Sequence, residues 1–451
     1  MSKRNFTLLI IILVIVLMGV LGFLFFKKTP VDNGGEGTNF LSRFNPFGIS
    51  KPANPGNTDN TIDISGDTPG TTGETEAPVK LHKISSVPVA GFEIFKKERL
   101  KEIPVVVPET TSSTTPANIS APATTKTKTT KPTPPATEFA LATRYVDRAT
   151  GNIFQTFLDK VEERRFSTTT IPKIYEAYFG NKDNSVLMRY LKTDNKTINT
   201  FVGTIPKEVL GADTASNEIK GVFLPDDVTD LSFSPDASKA FYLLNVNDSA
   251  IGTILNLADN KKTQVFDSAF SEWLSYWPTS IMITLTTKPS AVVTGHMYTL
   301  NTATKSFIRV LGDIYGLTTL TSPSGKTVIY GDNNLSLNVY DIAKKTSTAV
   351  GVLTMPEKCT WGSASDVLYC AVPTNLTAGQ YPDTWYQGEV SFTDQIWKID
   401  LKTGATTMLV DPVTVRGGEE IDGIKLSLSS DGKYLLFVNK KDSFLWKLDL
   451  N

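Results

Sequence analysis

The sequence predicts an all-β fold, a β-propeller of about seven blades, preceded by one N-terminal transmembrane helix and a disordered tether. Two observations predict the propeller. A strand–turn–strand text recurs along the chain at roughly 40–45-residue intervals, the signature of stacked or circular sheets. From residue 138 onward no stretch keeps a helical period of useful length. A third observation predicts the division of the chain: Pro, Thr and Gly dominate before residue 140, whereas all six Trp lie between Trp273 and Trp446.

The totals set limits. The chain has 451 residues, 40% hydrophobic and 20% charged, enough for one large or two ordinary domains with a core. A net charge of −1 supplies no field for nucleic acid, so no nucleic-acid partner is expected. Two cysteines exclude a disulfide-dense scaffold and a multi-Cys zinc ribbon. The two histidines, His82 and His296, are too few to favour His-based catalysis or a His-rich metal site. No metal and no cofactor is expected.

Residues 1–27 read as a single membrane anchor with a short flank. From Thr7 to Phe26 the chain carries no charge, and at about 1.5 Å per residue such a helix spans a ~30 Å hydrocarbon core. The exit Phe25-Phe26-Lys27-Lys28 lacks the small-x-small pattern of a cleaved signal peptide. Lys3 and Arg4 on one side and Lys27 and Lys28 on the other orient it weakly. The long Thr/Pro tracts that follow suit an exterior spacer. The expected location is therefore the cytoplasmic membrane, single-pass, with the folded domain outside the cytoplasm.

Residues 28–77 form a Pro/Thr/Gly linker that cannot bury enough surface to fold. Residues 78–451 are expected to be the propeller, with a disordered Thr/Pro insertion at about 103–137 inside the first blade. Before it, Val79-Lys80-Leu81-His82-Lys83-Ile84 alternates as a strand does, and a second strand-like run follows at residues 87–95.

The repeat is clearest at residues 231–244, Leu-Ser-Phe-Ser-Pro-Asp-Ala-Ser-Lys-Ala-Phe-Tyr-Leu-Leu. Leu231 and Phe233 alternate with Ser232 and Ser234, Pro235-Asp236 opens a turn, and an apolar run follows. The text returns around Ser322-Pro323-Ser324-Gly325-Lys326 and Ser429-Ser430-Asp431-Gly432-Lys433. An Asp or Asn ends the outer hairpin of each unit, at Asn256, Asn301, Asp341, Asp400 and Asp449. Two upstream units, at residues 152–167 and 174–205, bring the count to about seven. The last unit lacks a fourth strand, and residues 79–84 have the pattern to supply it, closing the ring against the outer strand at residues 444–448.

The Phe233-Ser234-Pro235-Asp236 and Trp397-Lys398-Ile399-Asp400 texts resemble TolB-like (WD-repeat-like) β-propeller repeats. The resemblance covers roughly residues 78–451 and implies the fold; it is nearly silent on function. No unit carries the Trp-Asp dipeptide of WD repeats, and Trp361-Gly362-Ser363-Ala364 lacks the Pro-Asp turn.

Few residues suggest chemistry. Cys359 and Cys370 lie on two strands with the turn Ser363-Ala364-Ser365-Asp366 midway, so a symmetric hairpin places them opposite one another. They form a disulfide if the domain lies outside; the alternative is two buried free thiols. The longest insertion between landmarks offers Tyr381, Asp383, Trp385, Tyr386 and Gln387 as ligand- or partner-binding candidates. The alternative is a loop packing its own rings against the propeller. Acids at Asp226, Asp227, Asp230, Glu419, Glu420 and Asp422 precede strands and read as solvated loop charges without calcium-loop spacing. No nucleophile elbow, P-loop or Rossmann fingerprint is present.

The reading that follows is a non-enzymatic binding or scaffold module of the cell envelope, engaging an envelope protein or polysaccharide. The alternative is a propeller-type hydrolase or lyase with carboxylates in the central funnel. Acids that converge in the funnel with raised pKa would favour the enzyme; a funnel filled by side chains would favour binding.

Overall fold

The computed structural model describes residues 80–101, 136–210 and 217–450. The expected anchor from Thr7 to Phe26, the tether at 28–77 and nearly all of the 103–137 insertion lie outside the described residues. Among the described residues no helix is long and apolar enough to cross a membrane.

Seven four-stranded antiparallel sheets succeed one another along the chain, giving an all-β, seven-bladed propeller. Their first strands are Val89–Leu100, Ile174–Gly180, Val228–Phe233, Trp273–Thr279, Thr318–Thr321, Cys359–Trp361 and Gly423–Leu428. Several of these strands touch the first strand of the next blade, Val89–Leu100 against Ile174–Gly180 and Val228–Phe233 against Trp273–Thr279 among them. Gly91 shows how closely they approach: a Cβ there would lie 1.8 Å from the Ala177 carbonyl oxygen on the next blade.

The recurring text encodes one turn. The Ser234 hydroxyl donates to Asp236 at 2.7 Å and accepts the Lys239 amide at 3.0 Å. Ser429 repeats this with Asp431 at 2.7 Å and the Tyr434 amide at 3.0 Å. Ser322 accepts the Thr327 amide at 3.2 Å. The turn needs one left-handed residue, supplied by Gly325 (φ 70°), Gly432 (φ 72°), Ala237 (φ 50°) and Ser365 (φ 59°). The unit lacking Pro-Asp therefore keeps the same turn. The Asp/Asn landmark caps the outer hairpin: Asp400 Oδ1 accepts the Lys402 and Thr403 amides at 2.8 and 2.9 Å, and Asn301 accepts those of Ala303 and Thr304 at 3.0 and 2.9 Å.

The core lies between blades, because each sheet is apolar on both faces. Leu187 and Val202 of the second blade pack with Leu231 and Tyr242 of the third. Phe241 and Leu243 pack with Trp273 and Trp277 of the fourth. The ring closes by strand pairing: strand Leu81–Lys83 pairs with Leu445–Asp449, Leu81 opposite Leu448, and completes the seventh sheet. Leu436 and Val438 of that blade then pack with Val89 and Tyr145 of the first. Within the sixth blade Cys359 faces Cys370 across the hairpin and the two are joined by a disulfide.

Candidate functional site

The first strands aim side chains into a central funnel. The third residue of four of them is Glu176, Asp230, Ser275 and Lys425. Register shifts interrupt three of these strands close by, between Ile174 and Glu176, Val228 and Asp230, and Ile424 and Ser427. Such bulges turn a side chain away from the regular pleat. The funnel holds a cavity of about 470 Å³ lined by Tyr178, Asp230, Ser232, Ser275, Tyr276 and Glu357, among others.

Burial raises the carboxyl pKa of two acids there. Asp230 Oδ2 accepts both the amide and the hydroxyl of Ser275 at 2.6 Å, and that hydroxyl is 2.9 Å from the Ser232 hydroxyl. Burial pushes the Asp230 carboxyl up to about 6, against the pull of the Ser275 hydrogen bonds; the nearby Glu176 charge adds to the rise. Glu357, in the short turn Pro356–Lys358, accepts the Tyr386 hydroxyl on one oxygen. Its other oxygen is buried with no partner. Burial raises its pKa, and the Tyr386 hydrogen bond only partly offsets that.

The remaining charges make a fixed electrostatic wall. Glu176 accepts the Tyr178 hydroxyl at 2.6 Å and pairs with Arg189, which also donates to the Val228 carbonyl. Burial would raise the Glu176 carboxyl, but the Lys425 and Arg189 charges and these hydrogen bonds outweigh it and hold it low. Lys425 donates to the Ala90 carbonyl at 2.8 Å; burial lowers its pKa despite Glu176. One site thus contains carboxyls pushed apart in pKa, the pattern of acid–base assignment.

The loop singled out in the sequence lies partly at this funnel. Tyr381 and Trp385 are buried and pack with Phe392. Trp385 donates its indole N–H to Asp422 at 3.0 Å. Asp383 accepts the Ala291 amide at 2.5 Å and so ties the loop to the fourth blade. Tyr386 keeps part of its ring exposed while its hydroxyl reaches Glu357. Gln387 lines a shallow outer groove with Ser290 and Val292.

Two of the expected surface acids are not solvated loop charges. Asp230 sits within a first strand and faces the funnel, and Asp422 is fully buried against Lys358. Asp226 and Glu420 do stay at the surface, paired with Lys192 and Lys441. The histidines stand on strands: His82 is 3.6 Å from Asp449, and His296 accepts the Asp313 amide at 3.4 Å. Among the described residues no three His, Cys, Asp or Glu side chains are grouped to hold a metal ion. A second cleft of about 590 Å³ beside Lys97, Gln155 and Glu208 spends its charge internally. There Glu208 accepts Lys97 at 2.8 Å, Gln155 at 3.1 Å, and Arg164.

No family model and no curated protein matches the chain. Two solved structures that it is similar to are oligogalacturonate lyases. One, from Vibrio parahaemolyticus, is 8% identical with a TM-score of 0.45, covering 69% of this chain and 86% of that one. The other, in complex with manganese, is 11% identical with a TM-score of 0.44 and the same coverage. The funnel is not filled but carries convergent acids of raised pKa. The expectation of a non-enzymatic binding or scaffold module is corrected on the funnel's acids; the likeness to the two solved structures carries no argument for a reaction, which has to come from the funnel itself.

Proposed function

We propose that the propeller is a hydrolase or lyase whose acid–base chemistry is carried by Asp230 and Glu357. The observation that carries this is an Asp230 carboxyl near pKa 6 sharing an open cavity with the protonation-prone Glu357. Asp230, ionised above about pH 6, is the general base; Glu357, whose carboxyl burial makes hold its proton more tightly than a free one, is the general acid. Tyr386 orients Glu357, Ser275 orients Asp230, and the Glu176–Arg189–Lys425 group fixes the field around them.

Tyr178 and Tyr276 give the cavity rings, and Ser232, Ser275 and Thr319 give it hydroxyls. That lining suits a polyhydroxylated chain, so the substrate class we propose is a polysaccharide of the cell envelope. The disulfide supports placing the domain outside the cytoplasm, tethered by the anchor from Thr7 to Phe26. We place its blades with the TolB-like kind on the repeat text.

The test is turnover of a panel of envelope glycans by the wild-type protein, Asp230→Asn and Glu357→Gln. A lyase leaves an unsaturated product that absorbs in the ultraviolet; a hydrolase leaves a new reducing end without it. Turnover lost in both variants is expected. Turnover by the wild type that neither substitution reduces, or none across the panel, would overturn the assignment.

A further inference from the structure

A second cluster, separate from the funnel acids, is the least ordinary feature of the core. Lys358, Asp394 and Asp422 are all fully buried, each at 0% exposure. Lys358 Nζ lies 2.7 Å from Asp394 Oδ2, donates also to Asp422 Oδ1, and is 3.2 Å from the Gly423 carbonyl. The rings of Trp385 and Phe392 flank it at 5.4 and 5.3 Å. Charges taken wholly out of water cost several kcal/mol each unless well paired.

The two carboxyls are not equivalent. Asp422 is fully provided for: it accepts Lys358, the Trp385 indole, the Phe392 amide at 3.1 Å and the Ser391 hydroxyl at 3.2 Å. Burial would raise it, but the Lys358 charge and these donors hold it below the usual range. Asp394 has one oxygen on Lys358 and on the Gly423 amide at 2.6 Å. Its other oxygen, Oδ1, is buried with no partner. Burial pushes the Asp394 carboxyl up. A bare buried carboxylate oxygen is costly, and losing that oxygen removes the cost.

We propose that Lys358 and Asp394 condense to an intramolecular isopeptide bond, with Asp422 as the proton carrier. Asp422 takes a proton from Lys358 Nζ. The freed lone pair forms the N–Cγ bond to Asp394, whose Oδ2 takes up the electron pair against the Gly423 amide. On collapse Oδ2 re-forms the carbonyl and the Cγ–Oδ1 bond breaks with its electron pair; Asp422 hands on the first proton and then relays a second from Nζ, and Oδ1 takes both and leaves as water. An ammonium and a carboxylate thus become an amide and one water, charge unchanged, with no oxidant or co-reactant. The geometry supplies the high effective concentration: Nζ is held 2.7 Å from Oδ2, the oxygen bonded to the carbon it attacks. The burial of all three side chains keeps bulk water from reversing the step. The partnerless Oδ1 is explained as the leaving oxygen.

The experiment is peptide mapping of the reduced, unfolded full-length protein after trypsin. Expected is a peptide containing both Lys358 and Asp394, uncut at Lys358, lighter by one water, with fragment ions placing the link between those two residues. Asp422→Asn, which keeps both reacting groups, is expected to give the unlinked mass and a Lys358 that trypsin cleaves. A wild-type Lys358 that is cleaved, or labelled by an amine reagent after unfolding, would overturn the bond. A link formed equally in Asp422→Asn would overturn the role of Asp422.

Discussion

Asp230→Asn removes a proposed general base and, on the same reasoning, stabilises the protein above neutral pH. In the folded state burial holds the carboxyl near 6, against 3.8 for the free side chain. Protons are therefore bound more tightly folded than unfolded, and stability falls as pH rises through the window from about 4 to 6. Two pKa units correspond to about 3 kcal/mol. The funnel admits water to Asp230, so a gain of about 1–3 kcal/mol is the working figure for the variant at pH 8. The side-chain oxygen of Asn still accepts the Ser275 amide, so little is lost in exchange. At pH 4 the folded wild type is itself neutral at this position, and the difference should shrink toward zero. Denaturant midpoints for both proteins at pH 4, 6 and 8 measure this. A variant no more stable than wild type at pH 8, or a difference that ignores pH, would refute the argument that Asp230 is a strained acid held for function.

Three further outcomes are expected. Tyr386→Phe removes the side-chain hydrogen bond that lowers Glu357, so its pKa climbs; the basic limb of the pH–rate profile should move to higher pH, with kcat lower by about tenfold to hundredfold. A profile unchanged in shape would remove Glu357 from the acid role. Replacing Cys359 and Cys370 by Ala frees an 11-residue separation and should cost about 2–4 kcal/mol in unfolding experiments. Leu81→Ala, at a residue 3% exposed on the closing strand, should cost about 2–4 kcal/mol, and protease should then attack the chain near Leu81 first.

The architecture was legible because each blade repeats its own local chemistry. The Ser that caps its turn, the left-handed residue after it and the Asp or Asn that caps the outer hairpin all act within a few residues. The closing strand was legible for a related reason: residues 79–84 carry a strand's alternation, and the last unit visibly lacks one. The funnel was not legible in that way. Glu176, Asp230, Glu357 and Lys425 come from four blades, and nothing in the sequence joins them. A weaker signal was present. Ile174-Tyr175-Glu176, Val228-Thr229-Asp230 and Gly423-Ile424-Lys425 each place a charge at the third position of a first strand. Once blades are aligned, a charge recurring where a core residue belongs points to the axis. Read singly, Asp230 looked like a loop acid because its neighbours Asp226 and Asp227 are ones.

The aromatic loop teaches the complementary lesson. Trp385 and Tyr386 are adjacent, and their text alone offers both to a partner. Within the short helix Asp383–Tyr386 consecutive side chains diverge by about 100°. Trp385 therefore turns inward, over Lys358 and onto Asp422, while Tyr386 turns to the funnel and Glu357. One residue steadies the buried lysine cluster and the next holds a proposed catalytic acid. Glu357 and Lys358 are adjacent too, one aimed at each site. The two sites are thus bound by two pairs of neighbours, so a cross-link that fixes Lys358 also fixes the turn carrying Glu357. In that arrangement the isopeptide bond is a support for the acid, and a variant that cannot form it should lose activity before it loses its fold.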